Sequence, residues 1–403
     1  MTRYNFTRRP LAAAAALTLI QAAAHAQTAP AKDDGDTLAL DRIVVTGTAT
    51  GGAKMKQSVS ISTLDADQIA KQAPASAAEI LRSIPGVRSE SSGGEGNANL
   101  TVRGVPISAG GARYVQFQED GLPILMFGDI AFGTADQFLR ADYSLDRLEV
   151  IRGGSASTLA TNSPGGIINF ISKDGSEPGG AVGLTLGASG GKQLRVDANY
   201  GGKLGPNTRF HIGGFQRVGE GDRPAGFNAA KGGQIKANLT HQLGGGSYVR
   251  VSLKALDDRT PTLLPVPTYV QNGEIKAIPG IDPRTAFFIT PGLSRDVGVD
   301  KDGNAVSSAT RDGLRVKSTA IGFEGGYDLG NGLSVEDKFR KASNSGRFIA
   351  LFPADNGNNG KAPFFTGTLF NTSLDSLDNS FNDLKLTKVI QQPGGKLTLV
   401  GGL

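Results

Sequence analysis

The sequence predicts a small α+β domain followed by a run of antiparallel β-strands, with a secretory leader in front. Three observations carry that expectation. Arg3, Arg8 and Arg9 precede an apolar run over Leu11–Ala24 that ends in Ala24-His25-Ala26, the small-x-small pattern of a leader-peptide cleavage site. The stretch Asp146–Lys173, reading DRLEVIRGGSASTLATNSPGGIINFISK, joins two β-type segments through a loop too rich in glycine to pack by itself. From Gly180 onward, apolar and polar residues alternate with period two.

The leader fixes how the composition is read. Its apolar run is shorter than the roughly 20 residues a bilayer-spanning helix needs and is mostly alanine, so residues 1–26 are read as a signal peptide. A Sec signal is the default, because Pro10 interrupts the twin-arginine pattern around Arg8-Arg9. The chain of 403 residues carries 42 Lys+Arg against 37 Asp+Glu, and removing the leader takes arginines alone, which leaves a nearly neutral protein. There is no basic block, no interleaving of basic and aromatic residues and no zinc-finger spacing, so nucleic acid is not an expected partner. Cys 0 excludes disulfides and thiolate metal sites and suits an exported chain. Gly 57 favours strands and turns over long helices.

Residues 27–54 begin as a polar tether, since QTAPAKDDGDTLAL has too little apolar surface to order itself. Asp41, Arg42, Ile43, Val44, Val45, Thr46 and Gly47 follow as a β-branched run with no partner strand nearby in sequence. Such a run either begins the next domain's own sheet or adds to the edge of another chain's sheet. Residues 55–175 read as the α+β domain. After a β-type Ser58–Thr63, short helices are expected over Asp65–Lys71 and Ser76–Ser83, the second with Ser76 and Glu79 in capping-box spacing and a stop at Ile84-Pro85-Gly86. Strands are expected near Val87, over Leu100–Gly104 and around Phe117–Pro123.

Residues 176–403 are expected to form about nine strands. Leu194, Val196, Ala198 and Tyr200 alternate with Arg195, Asp197 and Asn199, and Leu243–Ser247 turns the chain into Val249, Val251 and Leu253. A soluble β-sandwich alternates in the same way. Turns near 204–207, 243–247 and 328–332 are short, whereas 257–315 and 344–378 are long, polar and rich in Gly, Asn, Asp and Pro.

The Asp146–Lys173 stretch closely resembles the end of the plug domain of TonB-dependent outer-membrane receptors, with their Arg-Ile-Glu-Val segment, Arg-Gly-Pro and Gly-Gly-Val-Ile-Asn strand. Leu100–Gly104 and Glu119-Asp120-Gly121-Leu122-Pro123 extend the resemblance, which runs over about residues 41–175. Gly154 departs from it, standing where the family usually has proline. The resemblance implies a fold class, an α+β plug domain followed by antiparallel transmembrane β-barrel strands, with lipid outside, water inside and long loops external. It also implies an incomplete barrel, because these plugs occupy barrels of about 22 strands. Residues 41–47 become a TonB box, with TonB, ExbB and ExbD as partners and the outer membrane of a Gram-negative cell as location. Arg103, Glu149 and Arg152 become a latch that pairs the plug with carboxylates of the barrel.

The function implied is energy-dependent uptake of a scarce small molecule, a siderophore–iron complex or an oligosaccharide, without bond chemistry and without a cofactor. Phe127, Asp129 and Phe132 sit in an apolar plug segment with one carboxylate and are the candidate ligand contacts, against the alternative of plug core. Enzyme readings fail on the residues. Gly187–Gly191 matches G-x-S-x-G but precedes alternation where a hydrolase needs a helix, and Asp300–Asn304 resembles a calcium loop with Gly298 and Ala309 at ligand positions. No metal site is expected. The alternative of another class is a secreted or surface β-rich binding protein or adhesin without transport.

Overall fold

The structure is a computed structural model that describes residues 43–46, 51–54, 59–74, 76–91, 93–105, 113–127, 132–153, 160–188, 190–354 and 366–403. The leader, the tether and Asp41, Arg42, Gly47 and Asp129 lie outside the described residues. Ile43–Val44 (β1) pairs antiparallel with Gly52–Ala53 (β2), so the β-branched run has a short partner within its own chain.

Local capping starts the two helices. Asp65 accepts a hydrogen bond from Gln68 N at 2.8 Å, and Gln68 Oε1 accepts from Asp65 N at 3.1 Å, a complete capping box for α1 (Ala66–Gln72). Ala73 ends that helix in the left-handed region at φ 44°. Ser76 Oγ accepts from Glu79 N at 3.3 Å and caps α2 (Ala77–Leu81), whose Ile80 and Leu81 are fully buried.

These helices pack on a sheet of five strands: β3 (Ile61–Asp65), β6 (Val115–Glu119), β7 (Leu122–Pro123), β8 (Leu145–Arg152) and β9 (Gly166–Ser172), in the order β3-β8-β9-β6-β7. Only the β6–β9 pairing is parallel. A separate hairpin joins β4 (Val87–Glu90) to β5 (Asn99–Val102). Asp120 and Gly121, at φ 54° and 90°, supply the tight turn between β6 and β7, a conformation that Asp-Gly favours. Val150, Ile168, Phe117 and Phe170 form the core beneath the helices with Ile80, Leu100 and Phe138.

The second part is a sheet of ten antiparallel strands. Its members are β10 (Gly179–Gly187), β11 (Gln193–Lys203), β12 (Thr208–Gly219), β13 (Ala230–Gly244), β14 (Ser247–Thr260), β19 (Leu314–Gly330), β20 (Leu333–Ala354), β21 (Thr366–Leu374), β22 (Asn379–Gln392) and β23 (Gly395–Gly402). The excursion between β14 and β19 carries two hairpins, β15 (Thr268–Gln271) with β16 (Glu274–Ala277) and β17 (Arg295–Val299) with β18 (Ala305–Ala309). The Asp300–Asn304 segment is the turn of the second hairpin, with Asp300 Oδ1 accepting from Asn304 N at 2.8 Å. The sheet does not close, since β10 and β23 stand at its two ends.

One expectation changes here. Residues 344–354 and 366–374 are strand, not loop: β20 runs for 22 residues and β21 folds back on its distal half from Gly346↔Leu374 to Ala354↔Thr366. At about 3.3 Å per residue β20 spans roughly 70 Å, and its distal half is covered, with Phe348, Ile349 and Ala350 buried and Phe348 stacked on Phe132. A strand covered on both faces has no reason to alternate, and the continuous apolar run Phe348-Ile349-Ala350-Leu351-Phe352 accordingly shows no period of two.

Within the bilayer-length part of the sheet the alternation is strict. Val182, Leu184, Val196, Ile212, Ile235, Leu253 and Phe323 point away from the α+β domain and are exposed, whereas Arg195, Asp197, Arg217, Gln234, Lys254 and Asp258 on the same strands point towards it and are buried. The sheet is thus a wall, apolar outside and polar inside.

Candidate functional site

Glu149 is fully buried in β8, yet its carboxylate is crowded with donors. Oε2 accepts from Val45 N at 3.1 Å, from Thr46 N at 2.9 Å and from Thr46 Oγ1 at 2.6 Å. Oε1 accepts from Arg147 Nε at 2.9 Å. Asn169, directly across from Glu149 on β9, donates from Nδ2 to Thr46 Oγ1 at 2.8 Å and accepts from Gly121 N at 3.0 Å. Residues 45–46 are therefore held on the α+β domain by one carboxylate and one amide. Burial would lower the Arg147 guanidinium, but Asp146 and Glu149 outweigh it and raise it.

The α+β domain meets the wall through a second set of buried charges. Glu119, at the end of β6, lies against Lys236 Nζ at 2.8 Å and Lys254 Nζ at 2.9 Å, and Arg340 donates to its backbone oxygen at 3.3 Å. Burial pushes the Glu119 carboxyl up, but the Lys236, Lys254 and Arg340 charges outweigh it and hold it well below the usual carboxylate range. Further out, wall Asp258 accepts from Arg140 at 2.7 Å and from Arg217 at 2.5 Å, and Arg217 also meets Glu95 at 2.5 Å. Arg195 donates to Ala141 O at 2.6 Å and Gln234 to Asp142 Oδ2 at 2.7 Å, so the segment from Thr134 to Asp142 is fastened along its length. Where the chain passes from β9 to β10, Asp174 is paired with Arg209 at 2.7 Å and Arg250 at 2.9 Å. A cavity of about 890 Å³ opens beside residues 45–46, lined by Asp146, Arg147, Tyr248, Glu336 and Lys385 among others.

The residues expected to form the latch divide. Glu149 binds the N-terminal segment and not a barrel group. Arg103 Nη1 donates to Arg152 O at 3.1 Å, and Arg152 Nη1 donates to Pro85 O. Neither arginine meets a wall carboxylate among the described residues. They neighbour each other, and burial together with the Arg103 charge lowers the Arg152 guanidinium. The wall contacts belong instead to Glu119, Arg140 and Glu95. Of the candidate ligand contacts, Phe127 is 37% exposed, while Phe132 stacks on Phe348 at 4.6 Å between ring centres and lies edge-on to Phe370 at 5.6 Å. No cluster of three or more His, Cys, Asp or Glu able to hold a metal occurs among the described residues.

Sequence reasoning passed over Glu119, Asn169 and Asp258. Each carried a signal. Asn169 is the one polar residue in Ile167-Ile168-Asn169-Phe170-Ile171, and Glu119 and Asp258 are acids at inward positions of otherwise alternating strands.

Comparison with known proteins agrees with this geometry. Residues 53–167 match the TonB-dependent Receptor Plug Domain. The ferric enterobactin receptor of Pseudomonas aeruginosa is 28% identical over 208 residues, covering 47% of this chain and 27% of that protein. The hemin receptor of Yersinia enterocolitica is 25% identical over 238 residues, covering 57% and 33%. Among solved structures, the ferric preacinetobactin receptor BauA of Acinetobacter baumannii superposes with a TM-score of 0.62 at 14% identity, covering 89% of this chain and 48% of that one. The ferric-catecholate import receptor Fiu of E. coli K12 gives 0.60 at 14%, covering 87% and 49%. Residues 53–167 thus carry a TonB-dependent receptor plug domain, and the strands that follow share the fold of the barrel walls in the solved receptors. The chain spans about half the length of the solved receptors and less of the curated relatives it matches.

Two outcomes follow from these contacts. Glu149→Gln should speed hydrogen exchange at the Val45 and Thr46 amides by at least about tenfold, because a hydrogen bond to a charged group contributes about 1.5–3 kcal/mol. Unchanged exchange would mean that something else holds the segment.

Asp174 gives a pH signature. Burial raises its carboxyl, but hydrogen bonds from Ser176 and Arg209 and the Arg250 charge outweigh burial and lower it to about 2. A depressed carboxyl contributes its full stability above the unfolded value of about 3.9 and loses it as pH falls towards the folded value. Acid unfolding should therefore show a component between about pH 4 and pH 2 that is missing in Asp174→Asn. Identical acid profiles would remove Asp174 from the plug–wall account.

Proposed function

We propose that this chain belongs to a receptor that takes up a ferric chelate across the outer membrane, with TonB engaging residues 41–47 and drawing on them to shift the plug. The observation that carries the reading is the combination of a plug fastened by buried charges to a polar inner wall with a segment parked on that plug by Glu149 and Asn169. A wall apolar on its outer face supports a membrane receptor over a secreted adhesin, which would have no use for exposed Leu184, Ile235 and Leu253. The relatives named as receptors for ferric enterobactin, ferric preacinetobactin and hemin favour an iron-bearing ligand, and nothing among the described residues favours an oligosaccharide.

In this reading the parked segment is the resting state. Its main-chain groups at 45 and 46 are occupied by Glu149, and adding this segment as a strand to another protein's sheet edge requires those same groups. TonB therefore competes with Glu149. Arg103 and Arg152, which buttress the plug loops near Pro85, make no wall contact among the described residues, and Phe127 is the retained candidate for contact with ligand. The protein performs no bond chemistry, and ExbB and ExbD would supply the work from the inner membrane.

Val45→Pro tests this reading. Proline removes one donor and fixes φ, so strand addition should fail while the external surface is untouched. With a ferric catecholate as sole iron source, cells carrying the variant receptor should stop growing yet bind the chelate at the surface as the parent does. Equal loss of binding and growth would sink the coupling assignment.

A further inference from the structure

Two plug segments are fastened to the wall side by side, and one buried carboxyl joins them. The loop over residues 93–98 is held where Arg217 meets Glu95 at 2.5 Å, Thr260 Oγ1 donates to Glu95 O at 3.2 Å and Leu263 N donates to Gly93 O at 3.1 Å. The segment over residues 132–142 is held where Arg140 meets Asp258 at 2.7 Å and Gln234 donates to Asp142 Oδ2 at 2.7 Å. Asp136, on a turn of 3-10 helix over Ala135–Phe138, accepts from Ala98 N through Oδ2 at 2.8 Å and so ties the segment to the loop. It is 1% exposed, and its neighbours Ala98, Ala135 and Phe138 belong to the plug core.

The carboxyl lacks what a buried charge needs. Asp136 has no ion-pair partner among the described residues, and Thr134 Oγ1, Asp136 Oδ1 and Gln137 Oε1 on this one turn are all buried without a hydrogen-bond partner. With Asp136 ionised, the turn offers three buried acceptors for the one hydroxyl hydrogen of Thr134, whereas a proton on Asp136 supplies a second donor. The charged groups around it leave no surplus of positive charge. Glu95 of the loop, Arg140 of the segment and Arg217 and Asp258 of the wall are paired among themselves, and Asp142 is taken by Ser144 and Gln234. β19, which also packs on the turn, presents Val316 and Ser318. Burial therefore pushes the Asp136 carboxyl up, and the nearby Thr134 hydroxyl, the Ala98 amide and the Arg140 charge offset it only in part.

A neutral carboxyl in this place makes the contact between loop and segment sensitive to acidity. When the two part, Asp136 meets water and ionises with the ordinary value of about 3.9. Opening therefore releases a proton, and its equilibrium constant rises about tenfold per pH unit from about pH 4 until the pH passes the raised value of the closed contact. The contribution of Asp136 is whole below about pH 3.9 and is lost as the pH rises, as for any group whose value is raised on folding. Asparagine at this position would keep the bond from Ala98 N and add an N–H for the unpartnered oxygens, without that loss.

We propose that Asp136 is a protonated joint between the two wall-fastened plug segments, closed most firmly in acid and loosened at neutral pH, where the Glu95 and Arg140 contacts with the wall can part from each other. The carboxyl gives up stability at neutral pH that an amide would retain, which marks this joint as a place where the plug separates rather than one where it is held. The inference is independent of which solute is taken up and of what engages residues 41–47.

The test follows amide hydrogen exchange in the intact receptor in detergent from about pH 4 to about pH 7, as protection corrected for the intrinsic pH dependence of exchange and referred to the Ile168 amide of β9. In the parent, protection of the Ala98 amide should fall by at least about tenfold across this range. In Asp136→Asn it should stay within about twofold, and at about pH 7 it should exceed that of the parent. Infrared difference spectra of the parent against Asp136→Asn at neutral pH should show the carbonyl band of a protonated carboxyl, a signature that a merely structural role would not give. Should Asp136→Asn fail to fold, the pH course of the parent alone decides. Protection of Ala98 that holds steady or rises with pH in the parent, a loss of protection at neutral pH in Asp136→Asn, or the absence of that band would mean that Asp136 is ionised and would overturn the proposal.

Discussion

The contact on which the rest of the structure depends is Glu119 of the plug against Lys236 and Lys254 of the wall. One carboxylate and two ammonium groups lie in an interface with little water, and each is tolerable only because the others are there. Such a cluster adds little net stability over an apolar one, yet removing one member leaves an uncompensated buried charge and costs about 3–5 kcal/mol. It therefore acts as a register pin: the plug sheet can sit against this wall in one position. Asp258, shared by Arg140 and Arg217, pins the other end of the same surface.

The wall makes such pins possible through its alternation. Polar side chains on its inner face meet the plug while apolar ones on its outer face are exposed, and a slip of one residue would exchange the two sets. Gly175 permits the passage from plug to wall, since at φ 76° a Cβ there would lie 2.0 Å from Phe210 O. The plug's final strand, β9, is in turn tied to the segment at residues 45–46 through Asn169, so that segment and the plug sheet fastened to the wall are directly connected. Pulling on the segment loads β8 and β9 directly.

Much of this was legible before any coordinates. The helix starts at Asp65 and Ser76 are local capping signals, and the outward set Leu194, Val196, Ala198 and Tyr200 follows from period two. The motif at 146–173 identified the plug because its glycines and strand residues recur at fixed offsets. Pairings were not legible. Glu119 and Lys254 are separated by 135 residues, and a charge inside a strand announces that it needs a partner without saying which. Arg103 and Arg152 were assigned to the wall for that reason, and they contact plug backbone. The distal half of β20 was hidden by the opposite effect, a strand whose two faces share one environment.

A double-mutant cycle between Glu119→Gln and Lys254→Met, read by hydrogen exchange of the Val115–Glu119 amides in the intact receptor, tests the pin most directly. Each single variant should lower protection of β6 by the cost of a stranded buried charge, about 3–5 kcal/mol, and the double variant should recover a large part of that loss. Strictly additive losses would mean that the two groups do not depend on each other, and that the plug is held against its wall by something other than these charges.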